Sequence, residues 1–255
     1  MGTIRKNLAK ARAALARRVP YDPYANMSTK YKAEAEFWRT EIGRYESWYR
    51  GTLPVFYGTP SPRPEQRVAA TTPPHEAILT WAELHQKPKY IEDLELPIDA
   101  FNGTRVLDVG AGPIPSGSVF QACELYCLDP LLDHYLQAGF PLHYYGDVRF
   151  VHGFAEKMPL ADAMFDAVIS VNALDHVDDF EAAAREIGRV LKPEGRLRIH
   201  LHYHSATANE PLELNDERVD SAFSWCPNFH KINESDAKFG GTAAQGEKYT
   251  LWSNF

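Results

Sequence analysis

The segment from Arg105 to Pro130 constrains this chain most. Val106, Leu107 and Val109 read as an apolar strand running into Gly110-Ala111-Gly112. A short helix is expected next, then a second strand, LYCLD, closing on Asp129. Asp129 follows Gly110 by 19 residues. That spacing sets a carboxylate at the tip of the neighbouring strand, where it can accept from both hydroxyls of a ribose. The expectation is an adenosine-containing cofactor, and the loop chemistry decides which kind.

A dinucleotide loop needs three glycines and free backbone N–H groups to hold a pyrophosphate. Here the run is Gly110-Ala111-Gly112-Pro113-Ile114-Pro115. The third glycine is missing, and two prolines have no N–H to donate. Pro115 fits the first turn of a helix, but Pro113 lies in the loop itself. Such a loop cradles phosphate poorly. It suits a cofactor without phosphate, of which S-adenosylmethionine is one. A tight strand-to-helix turn that merely uses glycines is the plain alternative.

Downstream come AEKMPLADAMFD (Ala155, Glu156, Pro159, Phe165, Asp166) and LDHVDDFEAAAREIGRVLKPEGRL. With the glycine loop and Asp129, these make residues 104–203 resemble a class I S-adenosylmethionine-dependent methyltransferase of the small-molecule type. The most specific part is a helix ending at Leu191, a Lys192-Pro193-Glu194-Gly195 turn, and a strand. The resemblance implies that Asp129, with Pro130 beside it, holds the ribose end. It implies that Asp108 and the backbone of Gly110, Ala111 and Gly112 hold the methionine end, and that Ala155, Glu156 and Asn172 also border the cofactor. Two positions depart from the family pattern. Ile114 stands where a third glycine is common, and Phe154 where an acid often accepts from the adenine amino group. A phenyl ring at Phe154 can stack on adenine or simply fill core.

The 255 residues suffice for one α/β domain of roughly 150 residues plus extensions. No window approaches 18 uninterrupted apolar residues, and no secretory core is seen, so a cytoplasmic protein is expected. Cys123, Cys127 and Cys226 lie in apolar surroundings and read as thiols of a reducing compartment. Residues 1–18 hold six of the 27 Lys and Arg and no acid, leaving 21 basic against 34 acidic residues beyond, a balance of −13. An acidic body argues against a nucleic-acid substrate. The basic segment itself reads as an amphipathic helix through Ile4, Leu8, Ala11 and Leu15, with too small an apolar face to hold a membrane strongly.

An aromatic helical pattern runs from Ser28 to Arg50, and a second from His75 to Gln86. Between them, residues 51–64 carry six Gly or Pro and read as a loop rather than a strand. In the family, segments ahead of the glycine loop often cover the acceptor. Residues 1–100 are therefore expected to form an N-terminal helical cover, and 101–255 the cofactor-binding domain. Beyond Leu191, a strand (196–203), a helix (215–223) and two strands (228–233, 248–254) follow. The two closing strands joined by a loop suit the fold that the resemblance implies, a Rossmann-like doubly wound α/β sheet of seven strands, ordered 3-2-1-4-5-7-6, with the last strand antiparallel.

In-line methyl transfer from a sulfonium needs mainly positioning, and a base helps where the acceptor carries a proton. Ligands bind at the carboxyl ends of such strands. Asn172, Asp175 and His176 are expected after the fourth strand, and His202 and His204 after the fifth. His176 and His204 are the candidate bases, His176 preferred. His200, His202 and His204 alternate along one sheet face, roughly 6.6 Å apart. No acid cluster of the kind used by metal-dependent catechol-type relatives is visible at the fourth strand. A polar pocket wall with His204 outermost is expected, and no metal. The other readings that remain are a nicotinamide-dependent reductase and a non-catalytic protein that binds a cofactor or a partner. The acceptor and the oligomeric state are not written in the sequence.

Overall fold

The computed structural model describes residues 28–67, 74–207, 210–238 and 241–255. The basic segment 1–18 falls outside them. Seven strands form one sheet: β1 (Arg105–Val109), β2 (Glu124–Asp129), β3 (Arg149–His152), β4 (Phe165–Val171), β5 (Leu191–Tyr203), β6 (His230–Ser235) and β7 (Lys248–Ser253). Their spatial order is β3-β2-β1-β4-β5-β7-β6, the expected one. β1 to β5 are parallel to one another. β7 is antiparallel to both β5 and β6, so the one reversed direction lies inside the sheet.

The central strands are apolar on both faces because helices cover both sides. Leu107, Val109, Val168, Ile199 and Leu201 join one core with helices α5 (Phe180–Val190) and α6 (Asp216–Ala222). Asp179 caps α5, its carboxylate accepting from the Ala182 N–H at 2.8 Å. Val106, Cys127, Ala167 and Ile169 point the other way, onto Tyr90 and Leu94. All three cysteines are free thiols.

The helix expected after the glycine loop is absent; only a 3₁₀ turn, Ser116–Val119, stands there. Pro113 and Pro115 remove donors, and a β-carbon on Gly117 would come within 2.9 Å of Asp108, so the chain hugs the sheet too closely for a full helix. That face is roofed instead from the N-terminal side. Helix α2 (Pro74–Trp81) continues through a π-helical stretch, Ala82–Gln86, into α3 (Lys87–Leu94), well past the Gln86 expected to end it. Pro88 explains the wide turn: it has no N–H and its ring needs room against the carbonyl four residues back. The Gly- and Pro-rich stretch also holds a hairpin, Val55–Phe56 on Thr59–Pro60, where only a loop was expected. In β5, residues 192–195 break register against β4, so the expected turn is a bulge within one strand.

Helix α1 (Thr29–Arg50) starts at Ser28, whose side chain accepts from the Tyr31 N–H, and stops at Gly51 with φ 81°. Its Tyr45 and Trp48 pack on Trp81 of α2 and on Phe56, and its Trp38 meets Tyr135 of α4 (Leu132–Ala138) and Phe140 edge-on. This aromatic layer lies beside the strand tips. No helix among the described residues is long and apolar enough to cross a membrane.

Candidate functional site

The tight turn after β1 is fixed by two glycines. Gly110 has φ 73°, and a β-carbon there would lie 2.3 Å from that of Ala173; Gly112 has φ 66°. The loop amides point inward. Gly110 and Ala111 donate to the Leu128 carbonyl at 2.8 and 3.3 Å, and Gly112 donates to Asp129 Oδ2 at 3.0 Å. With Pro113 contributing no N–H, no row of free donors is left for a phosphate.

Above the loop opens a cavity of about 260 Å³, walled by Gly110–Gly112, Asp129, Pro130, Ala155, Glu156 and Asn172 among others. Asp129 is 5 % exposed, and its Oδ1 accepts from the Leu131 N–H at 2.8 Å. Burial pushes its carboxyl up to about 7. Each oxygen thus holds one backbone donor and keeps a lone pair for another. Glu156 braces the start of α5 through Oε1, which accepts from the Asp178 N–H at 2.7 Å, while its buried Oε2 has no hydrogen bond.

Two expected cofactor residues stand elsewhere. Asp108 is wholly buried beneath the loop, accepts from the Tyr90 hydroxyl at 3.3 Å, and does not line the cavity. Burial raises its carboxyl to about 7. Phe154 is 46 % exposed, also off the cavity wall, and meets the Tyr31 ring edge-on at 5.4 Å.

After β4 the chain turns at Asn172, φ 48°, whose Oδ1 accepts from His200 Nδ1 at 2.8 Å. Burial drops the His200 imidazole to about 4, keeping it neutral. His176 lines the cavity; His204 does not. Nor is His204 the outermost of its row: its side chain is 2 % exposed against 14 % for His202, because the loop bearing Asp175 closes over it. Asp175 is 1 % exposed, with Oδ2 at 3.4 Å from His204 Nε2 and 3.7 Å from His176 Nε2. Burial pushes the Asp175 carboxyl up, but His204 and the charge of His176 outweigh it and hold it below the usual range. Asp175 in turn raises His204 to about 9 against the opposing effect of burial.

The N-terminal helices complete the cavity with Tyr31, Glu34 and Trp38 from α1, Gln86 from the π-helical stretch, and Lys89 and Tyr90 from α3. Burial pushes the Glu34 carboxyl up, with the charge of His176 opposing it. The acceptor cover is expected in this region, but Glu34 and Lys89 are not singled out by the sequence pattern. The available signal was an acid within the aromatic stripe of α1. Lys30 ties the cover down: its Nζ, 7 % exposed, donates to the His176 carbonyl and to Asp178 Oδ1, each at 2.6 Å.

Residues 107–199 match the methyltransferase domain family. Over 103 residues the chain is 35 % identical to the uncharacterized methyltransferase YcgJ of Bacillus subtilis, covering 39 % of this chain and 41 % of that protein. It is 31 % identical over 109 residues to the O-methyltransferase rstn1 of Aspergillus nomiae (40 % and 48 % covered). With the demethylmenaquinone methyltransferase of Corynebacterium efficiens it shares 32 % over 102 residues (40 % and 43 %). The chain thus matches less than half the length of each of these relatives. The crystal structure of YcgJ superposes with a TM-score of 0.52 at 20 % identity, over 66 % of this chain and 97 % of that one, and shares its fold.

Proposed function

We propose, for a chain that belongs to the class I S-adenosylmethionine-dependent methyltransferases, that it transfers a methyl group to a small ring-bearing acceptor held under its N-terminal helices. The observation that carries this reading is Asp129: a buried carboxylate at a strand tip, facing a cavity whose glycine loop has turned its amides inward. A ribose can be held there, and a pyrophosphate cannot be cradled. Bound S-adenosylmethionine supplies an electrophilic methyl on a sulfonium.

The chain's own residues do the rest. Asp129 accepts from the ribose hydroxyls, while Gly110, Ala111 and Gly112 wall the methionine end. Pro130, Ala155 and the free Oε2 of Glu156 border the nucleoside, and Asn172 closes the tip of β4. Asp108 acts from below, holding the loop through Tyr90 and the backbone around Gly117. Phe154 packs on Tyr31 and so helps seat the cover.

Tyr31 and Trp38 offer flat apolar walls to an acceptor ring, and shutting out water aligns the acceptor atom with the methyl. His176, on the wall, takes up a proton where the acceptor carries one. His204, which does not reach the cavity, positions Asp175 behind it. The acidic surface suits a metabolite better than a nucleic acid.

Calorimetry with S-adenosylhomocysteine and with NAD tests the cofactor. The first is expected to bind one-to-one and the second not at all; the reverse result overturns the reading. Transfer of labelled methyl from S-adenosylmethionine into a metabolite extract, with products identified by mass, then reads the acceptor. Tight cofactor binding with no label transferred into any extract would favour a binding protein instead.

A further inference from the structure

Behind His176, where the tips of β4 and β5 meet, lies a cluster that methyl transfer does not require. Asp175, His202, His204 and Glu210 each offer one donor atom, and these atoms all lie within 4.8 Å of one another. Asp175 is 1 % exposed, and neither of its carboxylate oxygens has a hydrogen bond. His204 Nε2 is equally buried and equally without one. Asp175 meets His204 and His176 only at ion-pair distance, 3.4 and 3.7 Å, so the hydrogen-bonding capacity of two facing buried groups is left for a ligand.

The tautomer of His204 sharpens the point. Its Nδ1 lies 2.8 Å from the Ser205 carbonyl, which can only accept, so Nδ1 carries the hydrogen and donates. Nε2 is then the ring nitrogen left to face Asp175 Oδ2, at 3.4 Å and without a hydrogen bond. A proton there gives only a long ion pair; a metal ion binds both groups. An imidazole whose second nitrogen donates to a backbone carbonyl is the usual arrangement of a metal-binding histidine. His202 has the alternative form of support, its Nε2 lying 3.0 Å from the carboxylate of Glu247.

We propose that Asp175, His202, His204 and Glu210 bind a divalent first-row transition-metal ion of the zinc class. Two imidazoles and two carboxylates form a nitrogen–oxygen set that suits zinc, cobalt or manganese and disfavours magnesium, which prefers oxygen and water. A four-coordinate ion with bonds of about 2.0–2.2 Å brings its ligands to about 3.4 Å apart, so the cluster tightens by rotation of side chains on binding. The ion lies beside His176, whose Nε2 is 3.7 Å from Asp175 Oδ2 and 3.6 Å from Glu210 Oε1, and pins the β4 loop and Glu210 to the end of β5. The site stands on its own geometry, whatever the acceptor or the cofactor.

The test uses the untagged full chain, stripped with chelator and dialysed. Titration with zinc, and with cobalt followed by its visible absorption, is expected to show one site at micromolar affinity or better. Magnesium is expected to give none. Glu210→Gln, at a half-exposed position, and His204→Gln are expected to weaken zinc about tenfold or more and to alter the cobalt spectrum. Circular dichroism confirms that the variants fold. Cofactor binding, measured separately by calorimetry with S-adenosylhomocysteine, reports on the methyltransferase reading independently. The proposal is overturned if the stripped chain binds neither zinc nor cobalt, if only magnesium binds, or if folded Glu210→Gln and His204→Gln both keep wild-type zinc affinity.

Discussion

Asp129 carries the largest single burden. Already accepting from Gly112 and Leu131, it must be ionised to accept from ribose hydroxyls as well. Asp129→Ala is expected to weaken S-adenosylhomocysteine by about 1.5–3 kcal/mol, the range for a hydrogen bond to a charged group, with the fold retained. Unchanged affinity and an unchanged thermal midpoint would remove the ribose assignment. A pH dependence follows from the same group. Its carboxyl is raised by burial from 3.8 to about 7, so the free protein holds the proton across that window. Its contribution to stability is present below pH 3.8 and is lost as the pH rises through about 7. Ligand binding runs the opposite way, since it needs the ionised form. Between pH 7 and pH 6 the affinity for S-adenosylhomocysteine is expected to fall by roughly fivefold. Calorimetry across that range reads it, and a flat profile would mean that the ribose is held without the charge.

Helix α1 is held over the cavity by aromatic packing and by one buried cation. Lys30 bonds the His176 carbonyl and Asp178, so it fixes the lid and the β4 loop together. Lys30→Met keeps the apolar stem and removes the charge. It is expected to cost about 1 kcal/mol of stability, because it leaves the part-buried His176 carbonyl and the exposed Asp178 carboxylate without their donor. Acceptor KM should rise more than cofactor Kd, as the cofactor's main contacts come from the sheet. Equal effects on both would place Lys30 in general stability alone. The aromatic stripe of α1 was legible as a helix from its periodicity. That its Glu34 turns into the cavity was not, because helical spacing tells which residues share a face, not what that face meets.

Across the molecule, the cavity is walled by both the sheet and the N-terminal helices. A ligand there joins two layers that are distant in sequence. Hydrogen exchange with and without S-adenosylhomocysteine is expected to slow in residues 29–45 as well as in the loops after β1, β2 and β4. Protection confined to those loops would show that the cover closes only with acceptor present.

The central strands, the aromatic helix α1 and the strand-tip placement of Asp129, Asn172 and His176 were readable from the chain. Each depends on local periodicity, glycine turns or a spacing that one strand–turn–strand unit dictates, whereas the seven-stranded order with its reversed β7 followed only from the resemblance. The missing helix after Gly112 was partly written in Pro113 and Pro115, but its replacement by α3 was not, since a helix from before β1 fills that space. The histidines were visible as a row along β5. Only tertiary structure brought Asp175 and Glu210 against His202 and His204, with their donor atoms within 4.8 Å of one another. Sequence determines what a segment prefers within a few residues. Contacts between segments dozens of residues apart, where charge is buried and cavities are closed, are decided by how the layers pack.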